Sequence, residues 1–496
     1  MGIKKSKHFL RKIILLVFVF IFLLPGAAFA QTAYSNEKFD AMSYVLMDLG
    51  SGKVLAQHDP DRQIYPASTT KLMTALLLME KKGLDGETTV GKEVNGMPTG
   101  SSLMHISVGE KVTVKDLFYG LMLCSGNDAA NTIGVYVSGS VDAFVALMNQ
   151  RAAELGMTNT RFNSPYGSFL NQDETAPIPE EKLGMNHYTT ASDMAKLTLA
   201  AGKYPEILQA GDTETYSLSA TNKHEERVIE NSNPLVHNLK NHPEFDQFYY
   251  ESATGLKTGS VDNIVVNGTF IHNYGNVVAT AKKDNLSLAA MIFGDQSENG
   301  SLESYQRWQL AADLFNYGFQ NYSLVDITPY LQAVELTRPV QAESGSSGGE
   351  FEIVSKSNTS AVTVILDSAT VQGLKDGTVQ LDKQIKIDDS LSPSIQTGDT
   401  VGTVEYMLDG NAVYQTELAV TGRTQAEVSA APSSTDQQPA GTASAGEGFP
   451  GWLLWVLIPG LAVGALFAVR EINMYRRRHR RKRRYQGLGA DTRRKM

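Results

Sequence analysis

The segment PASTTKLMTALLLME, residues 66–80, decides how the chain is interpreted. Small hydroxyl residues precede a strongly apolar run, and Lys71 follows Ser68 by three positions. Residues three apart share one face of a helix. A serine hydroxyl is a poor nucleophile until a base removes its proton, and an amine can be that base only when it is uncharged. The segment therefore predicts a helix that carries a nucleophile, Ser68, and its base, Lys71.

An uncharged lysine needs a special environment. Keeping Lys71 neutral at pH 7 costs about 4.6 kcal/mol, taking a pKa of about 10.4 and about 1.36 kcal/mol per pKa unit. Burial together with a second cation can lower the pKa of a lysine by about 3–5 units. The apolar residues 72–79 supply burial. Ser68, at the helix start, can turn its own backbone N–H toward a developing oxyanion.

Ser-x-x-Lys alone is weak evidence, because about one or two matches are expected by chance in a chain of this length. Ser35-Asn36-Glu37-Lys38 is a second match. It lies in a polar stretch with no apolar helix behind it, so we interpret it as a chance match.

The stretch LMLCSGNDAAN contains a second candidate, Ser125-Gly126-Asn127. Ser125 could relay a proton between Lys71 and a leaving amine, and Asn127 could hold a substrate amide. The structural alternative is a helix N-cap, a role that Ser, Gly, Asn and Asp all serve well.

A third candidate is Lys257-Thr258-Gly259, on a predicted strand. Lys257 and Thr258 could bind a carboxylate, and Gly259 would leave room for a substrate strand alongside. Lys257 would also be the second cation that lowers the pKa of Lys71. The backbone N–H of Ser260 is a candidate second oxyanion donor. The alternative is a strand-end lysine in solvent.

The three motifs in this order resemble the low-molecular-weight penicillin-binding proteins that are serine-type D-alanyl-D-alanine carboxypeptidases. The resemblance covers about residues 41–294 and includes YPASTTKLMTALL, VKDLFYGLMLCSGNDAAN, LGMTNTRFNSPYG, HYTTASDMAKL and GLKTG. It implies an ester on Ser68 with Lys71 as its base, and removal of the last D-Ala from a peptidoglycan stem pentapeptide. It also implies that β-lactams acylate Ser68. The remaining implied contacts are Ser125 and Asn127 for the relay and amide, and Lys257, Thr258, Gly259 and Ser260 for the substrate.

The predicted fold class is α/β (α+β), the penicillin-binding or serine β-lactamase-like transpeptidase domain. We expect an antiparallel sheet of N- and C-terminal strands flanked by helices, since strand patterns lie at both ends of the first unit. A hairpin is predicted around Gly50-Ser51-Gly52, and strands follow from Gly255. Helices are predicted over residues 109–136, 141–155, 190–201 and 302–317. Alternating segments and the turn Asp409-Gly410 predict a small all-β domain over residues 325–422.

The two ends of the chain predict export and anchoring. Residues 1–30 have a basic front, an apolar middle and small residues before Gln31, which is typical of a secretory signal peptide. An uncleaved membrane anchor is the alternative. Residues 449–469 carry no charge, and about 20 residues are needed to span a bilayer as a helix. The tail 470–496 has 12 basic and 2 acidic residues, which favours the cytoplasmic side.

These ends set the expected organisation and location. We expect a carboxypeptidase domain over 31–320, the β domain over 325–422 and a disordered stalk over 423–448. The protein would be a single-pass cell-membrane protein with an extracellular catalytic domain. The part between the ends has 27 basic and 51 acidic residues, a net charge of −24, which disfavours nucleic-acid binding.

The remaining residue types add little chemistry. Cys124 is the single cysteine, so no internal disulfide can form, and we expect it to be a small buried apolar residue. The nine histidines show no metal-ligand spacing, and we expect neither a metal nor a cofactor. His187 and His272 are predicted to be surface residues.

Three other functions stay open on the sequence alone. A β-lactamase would use the same acylation, but class A enzymes use a loop Glu for deacylation, and Glu181-Lys182-Leu183-Gly184 does not fit that motif. A transpeptidase would pass the acyl group to another strand. A β-lactam sensor or wall-binding scaffold would not be an enzyme. Two stretches, 168–185 and 261–280, are longer than the family pattern and could flank the site.

Overall fold

The computed structural model describes residues 43–425 apart from 98–99, 168–177, 180–186, 241, 267–268, 298–304, 341–348, 357–359, 388–390 and 393. All described residues belong to the first of two units of the chain, residues 1–426. The predicted signal peptide, transmembrane segment and basic tail, and nearly all of the predicted stalk, lie outside the described residues.

The helices and strands are numbered in chain order. The α-helices are α1 Lys71–Lys81, α2 Val114–Met122, α3 Asn127–Ser138, α4 Val141–Glu154, α5 Ala191–Ala201, α6 Pro205–Asp212, α7 Gln306–Asn321 and α8 Ser368–Asp376. The first strands are β1 Ser43–Asp48, β2 Val54–His58, β3 Glu87–Thr89, β4 Lys111–Thr113, β5 Ile178–Pro179, β6 Thr215–Leu218, β7 Arg227–Glu230, β8 Ala253–Val266, β9 Thr269–Lys283 and β10 Leu286–Ser297. The later strands are β11 Tyr322–Asp326, β12 Glu335–Pro339, β13 Gly349–Ser355, β14 Thr363–Asp367, β15 Asp382–Ile387, β16 Thr400–Leu408 and β17 Asn411–Gln425.

The central sheet joins strands from both ends of the first domain, as predicted. Its order is β2-β1-β10-β9-β8-β5, and its pairs are antiparallel except for the short parallel contact of β5 with β8. The predicted hairpin is confirmed, since β1 pairs with β2. Strand β8, which carries Lys257-Thr258-Gly259, is therefore next to the edge strand β5.

Both faces of this sheet are covered. Successive side chains of a strand point to opposite faces. Val45 and Met47 of β1 pack into the core formed with α1 to α5, whereas Tyr44 and Leu46 pack into a second core with α7. Burial on two faces explains why residues 44–47 of β1 form a continuous apolar run instead of alternating with polar residues.

Helix α1 lies inside the larger core. Its residues 71–78 are all buried, and the helix contacts α2, α3, α4 and α5. A helix that is apolar all round is a buried helix. The same feature that identifies α1 as central therefore forces Lys71, at its first position, into the protein interior.

Two helix predictions need correction. The continuous helix over 109–136 is wrong, because the chain forms β4, then α2, then a turn, then α3. The Thr113 hydroxyl accepts a hydrogen bond from the Asp116 N–H and starts α2 there. The turn at 123–126 includes Ser125 at φ 58, which a helix cannot contain. The predicted helix over 302–317 corresponds to α7, which ends at Asn321.

The C-terminal domain contains the predicted antiparallel sheet, in the order β12-β13-β17-β16-β15. The Asp409-Gly410 turn joins β16 to β17, as predicted. Helix α8 was not predicted. Asp367 caps its start, where the Asp367 side chain accepts from the Thr370 N–H at 2.9 Å. Gly377, whose φ of 78 favours glycine, caps its end.

A membrane-spanning helix is not found among the residues that the structure describes. No single helix there is long and apolar enough, although the bent pair α3 and α4 passes the same test together by length and composition.

Asn276 joins the sheet to the segment before α1, and its loss should weaken the fold. The buried Asn276 amide donates to the Tyr65 carbonyl at 2.9 Å and accepts from the Gly294 N–H at 3.0 Å. Asn276→Leu would leave two buried backbone groups without these partners, at about 1–3 kcal/mol each. Thermal unfolding should show a clear loss of stability, whereas Asn321→Leu, at an exposed asparagine, should stay within about 0.5 kcal/mol. Equal effects of the two substitutions would contradict this role of Asn276.

Candidate active site

Ser68 and Lys71 lie on the same side of one tight turn. Residues Ala67–Thr70 form a 3-10 helix that runs directly into α1. In a 3-10 helix, residues three apart eclipse each other, so this turn aligns Ser68 with Lys71 more closely than an α-helix would. Ser68 is partly exposed, whereas the side chain of Lys71 is fully buried. The predicted nucleophile is thus open to the outside while its base is closed to water.

The Lys71 amine has three close oxygen neighbours. Its Nζ lies 2.8 Å from the Ser68 Oγ, donates to the Asn127 Oδ1 at 2.8 Å and donates to the Tyr166 carbonyl at 3.0 Å. A neutral amine has two N–H groups and one lone pair. Two neighbours can only accept, and the third is a hydroxyl that can donate. In its uncharged form the amine can therefore donate to both acceptors and point its lone pair at the Ser68 proton.

The surroundings of Lys71 disfavour its charged form. Burial lowers the pKa of Lys71 well below its ordinary value, and the nearby charge of Lys257 lowers it further. Burial also lowers the pKa of Lys257, to about 7. The two opposing influences on the pKa of Lys71, from Cys124 and Asp128, are smaller.

Ser125 lies in the turn between α2 and α3, and Asn127 is the first residue of α3. Ser125 is buried, and its Oγ has no hydrogen-bond partner among the described residues. Asp128 fixes the turn, because its carboxylate accepts from the N–H groups of Met104 at 2.8 Å and Ile106 at 3.1 Å. The turn thus holds one unpaired hydroxyl inside the site, beside an amide that contacts Lys71.

Strand β8 brings Lys257-Thr258-Gly259 against the turn formed by Ala67–Thr70, which we call the nucleophile turn. A Cβ on Gly259 would lie 3.0 Å from the Thr69 N and 3.1 Å from the Ser68 N, so any larger residue would press on the backbone of this turn. Lys257 is buried, and its Nζ donates to the Thr258 carbonyl at 3.0 Å. The exposed Ser260 follows on the same strand, opposite Gly275. Strand β8 therefore places the second buried lysine in the same region as Ser68.

Thr258 has a partner that the sequence did not suggest. Its Oγ1 lies 3.0 Å from the Ser232 Oγ, and the Ser232 N–H donates to the Leu123 carbonyl at 3.2 Å. Ser232 thus links β8 to the end of α2, and it adds a hydroxyl beside the predicted carboxylate contact.

The two extra stretches lie along the same strand. Residues 261–280 extend the β8–β9 hairpin, and Ile178 and Pro179 from the other stretch pair in parallel with Ile264 and Val265. Both stretches thus meet on β8, beyond its Lys-Thr-Gly motif. Most of residues 168–185 lie outside the described residues.

His187 is buried, so the prediction that it lies on the surface is wrong. Its Nε2 lies 2.8 Å from the Thr70 Oγ1. Burial, with a smaller contribution from the charge of Lys71, lowers the pKa of His187 to about 3. Three groups that contact the candidate site residues or the nucleophile turn were missed by sequence reasoning: His187, Ser232 and the Tyr166 carbonyl. His187 could have been found, because it begins the stretch HYTTASDMAKL that resembles the family. The Tyr166 carbonyl could not, because a backbone group has no sequence signal.

Cys124 packs partly buried against the main core. Its Sγ donates to the Gly120 carbonyl at 3.2 Å, and burial raises the pKa of the thiol to about 11. The thiol is therefore protonated and a poor nucleophile at neutral pH. Within the described part of the chain, no group of three or more His, Cys, Asp or Glu side chains could hold a metal ion.

Comparison with known families gives two matches along the chain. The model of the D-alanyl-D-alanine carboxypeptidase family, Peptidase_S11, matches residues 30–297. The model of the C-terminal domain of penicillin-binding protein 5 matches residues 347–425.

Similar proteins cover most of the chain. The D-alanyl-D-alanine carboxypeptidase DacF of Bacillus subtilis is 27% identical over 82% of this chain and 92% of its own length. The D-alanyl-D-alanine carboxypeptidase DacB2 of Mycobacterium tuberculosis is 31% identical over 56% of this chain and 82% of its own length. The crystal structure of penicillin-binding protein 5 from Haemophilus influenzae has a TM-score of 0.53 at 22% identity, covering 79% of this chain and 99% of that one, and supports the fold.

The coupling between the two lysines predicts a bell-shaped pH dependence. Activity should rise as Lys71 loses its proton, and the kcat/KM of the free enzyme should fall above about pH 7 as Lys257 loses its own. Lys257→Met removes the neighbouring charge, so the pKa of Lys71 should rise and the ascending limb should move to higher pH. The measurement is the rate of acylation by a fluorescent penicillin across pH. Thr258→Val removes no charge and should leave that limb in place; an unmoved limb in Lys257→Met would contradict the coupling.

Proposed function

The chain belongs to the D-alanyl-D-alanine carboxypeptidase family, and we propose that it removes the terminal D-Ala of peptidoglycan stem pentapeptides through an ester on Ser68. It is a serine peptidase hydrolase of cell-wall maturation. The observation that carries the proposal is the set of partners around Lys71 Nζ, with the Ser68 Oγ at 2.8 Å and two pure acceptors on its other sides.

Acylation begins when the neutral Lys71 amine takes the Ser68 proton. The Ser68 Oγ then forms a bond to the carbonyl carbon of the penultimate D-Ala, and the backbone N–H groups of Ser68 and Ser260 stabilise the oxyanion. The proton passes from Lys71 to the leaving amine, with the unpaired Ser125 hydroxyl as relay. The peptide C–N bond breaks and D-Ala leaves.

Deacylation repeats these steps with water. Lys71, neutral again, takes a proton from the water, the hydroxide adds to the ester carbonyl, and the ester bond to the Ser68 Oγ breaks as that oxygen regains a proton. The site thus returns to its starting protonation state with no cofactor.

Substrate binding uses the charged form of the second lysine. A buried ammonium on Lys257, next to the Thr258 hydroxyl, suits the terminal carboxylate of the leaving D-Ala. The Asn127 side chain faces the acyl amide. A β-lactam carries a comparable carboxylate and a reactive carbonyl, so it should acylate Ser68 as the peptide does.

We further propose that residues 1–30 direct export and that residues 449–469 anchor the enzyme in the cell membrane with its catalytic domain outside. The charge pattern of the sequence supports this location. Membrane fractionation should release the enzyme when the chain is truncated after residue 425, and intact mass should show loss of residues 1–30. An equally membrane-bound truncated chain would contradict the anchor.

Ser68→Ala should abolish both reactions. With a stem pentapeptide ending in D-Ala-D-Ala, the wild type should release free D-Ala, and fluorescent penicillin should label it; the variant should do neither. Ser217→Ala, at an exposed serine of β6, should behave as wild type. Label that persists on Ser68→Ala would contradict the nucleophile. Cross-linked dimers instead of free D-Ala would indicate a transpeptidase, and rapid loss of label with antibiotic turnover would indicate a β-lactamase.

A further inference from the structure

His187 lies between two segments that both contact Lys71. Its Nε2 lies 2.8 Å from the hydroxyl of Thr70, the residue directly before Lys71. Its Nδ1 lies 3.1 Å from the backbone N of Asn163 and 2.7 Å from the Asn163 Oδ1. The imidazole is thus a polar bridge from the nucleophile turn to the segment that starts at Asn163.

The segment that starts at Asn163 provides one hydrogen-bond acceptor for Lys71. Residues 163–167 include Tyr166, whose carbonyl accepts from the Lys71 Nζ at 3.0 Å. The segment packs tightly on the turn, because a Cβ on Gly167 would lie 1.9 Å from the Ala67 carbonyl oxygen. The Tyr65 hydroxyl also donates to the Gly167 carbonyl. The position of the Tyr166 carbonyl therefore depends on how this segment is held against the turn.

The ring of His187 has little freedom to move. It is fully buried, and its edges meet the rings of Tyr65 and Phe162, with centroids 5.9 Å and 5.6 Å away. Thr70 is also fully buried. The His187 ring therefore fixes the position of Asn163 relative to Thr70.

We propose that His187 is a positioning residue: it holds the Asn163–Gly167 segment against the nucleophile turn, so that the Tyr166 carbonyl fixes one N–H of Lys71 and leaves its lone pair on Ser68. Without the bridge, the carbonyl can move away and water can reach the amine. The amine then loses its orientation and part of its desolvation. The inference rests on the proposed function only through the role of Lys71 as the base.

His187 does not titrate in the range where the enzyme would work, because burial and the nearby Lys71 hold its pKa at about 3. The other titratable groups that act on Lys71 are Lys257, Cys124 and Asp128. A moved ascending limb in a His187 variant thus reports the protonation of Lys71, provided that these groups are unchanged.

The test is the pH profile of acylation of the full chain by a fluorescent penicillin, analysed for the acylation rate constant and the pre-covalent binding constant separately. His187→Leu keeps apolar volume and removes both bonds. We expect the rate constant to fall about tenfold or more, because small misplacements of reacting groups have effects of this size. We expect little change in binding and an ascending limb at higher pH. His187→Gln, whose amide can still reach Thr70, should restore part of the rate.

Two further variants keep the result decisive. Thr70→Val breaks the same bridge from its other end, and in that background His187→Leu should have little further effect. His237→Leu is the matched control: His237 is buried and bonded to the Asn231 carbonyl at 2.7 Å, so its loss should lower Tm and leave the ascending limb in place.

The outcomes separate this inference from the proposed function. A His187→Leu protein with lower Tm but the wild-type rate and pH profile would overturn the positioning role. Additive effects of the Thr70 and His187 substitutions would do the same. Absence of penicillin label or D-Ala release in the wild type would instead reject the proposed function.

Discussion

An uncharged amine held in the interior, one turn from a hydroxyl, is the constraint on which this structure depends. Helix α1 is buried along residues 71–78, so its first residue has no access to solvent. Burial and the neighbouring Lys257 both lower the pKa of Lys71. The hydrogen-bond partners orient the neutral amine, because they offer two acceptors to its N–H groups and a hydroxyl to its lone pair. The uncharged state of Lys71 therefore depends on burial in the core and on Lys257 of strand β8, and the nucleophile turn places Ser68 beside it.

This arrangement works against stability. The lysine side chains have a pKa of about 10.4 in the unfolded chain, and both folded values lie lower. The cost is absent above the unfolded value and grows as the pH falls toward the folded values, since the unfolded chain then binds more protons. With a single cysteine and no disulfide, the apolar cores on both faces of the sheet must offset this cost. The sheet closely contacts the nucleophile turn and the segment before it. Asn276 bonds to the Tyr65 carbonyl, and Gly259 packs against the backbone of Ser68 and Thr69.

Much of the fold could be predicted from local patterns. The hairpin around Gly50-Ser51-Gly52, helix α5 and the turn at Asp409-Gly410 have strong signals and appear where expected. The predicted helix over 109–136 failed because Ser125 adopts a left-handed conformation that apolar spacing does not reveal. Helix α8 was missed, although Asp367 and Gly377 are a typical cap at each end. In the candidate site, residue types and order predicted Ser68, Lys71 and Lys257, and the structure places these three residues in one region. The Tyr166 carbonyl, Ser232 and the burial of His187 depend on tertiary contacts, which sequence spacing does not contain.

The charge of the Lys71 amine can be measured directly. Lysine side chains labelled with 13C at Cε report protonation by NMR, and the Lys71 signal can be assigned from its absence in Lys71→Arg. In the folded enzyme, Lys71 should have the chemical shift of a neutral amine at pH 7.5 and a titration midpoint well below the ordinary lysine value. A Lys71 that stays charged up to about pH 10, as an unperturbed lysine does, could not be the base that removes the Ser68 proton at neutral pH.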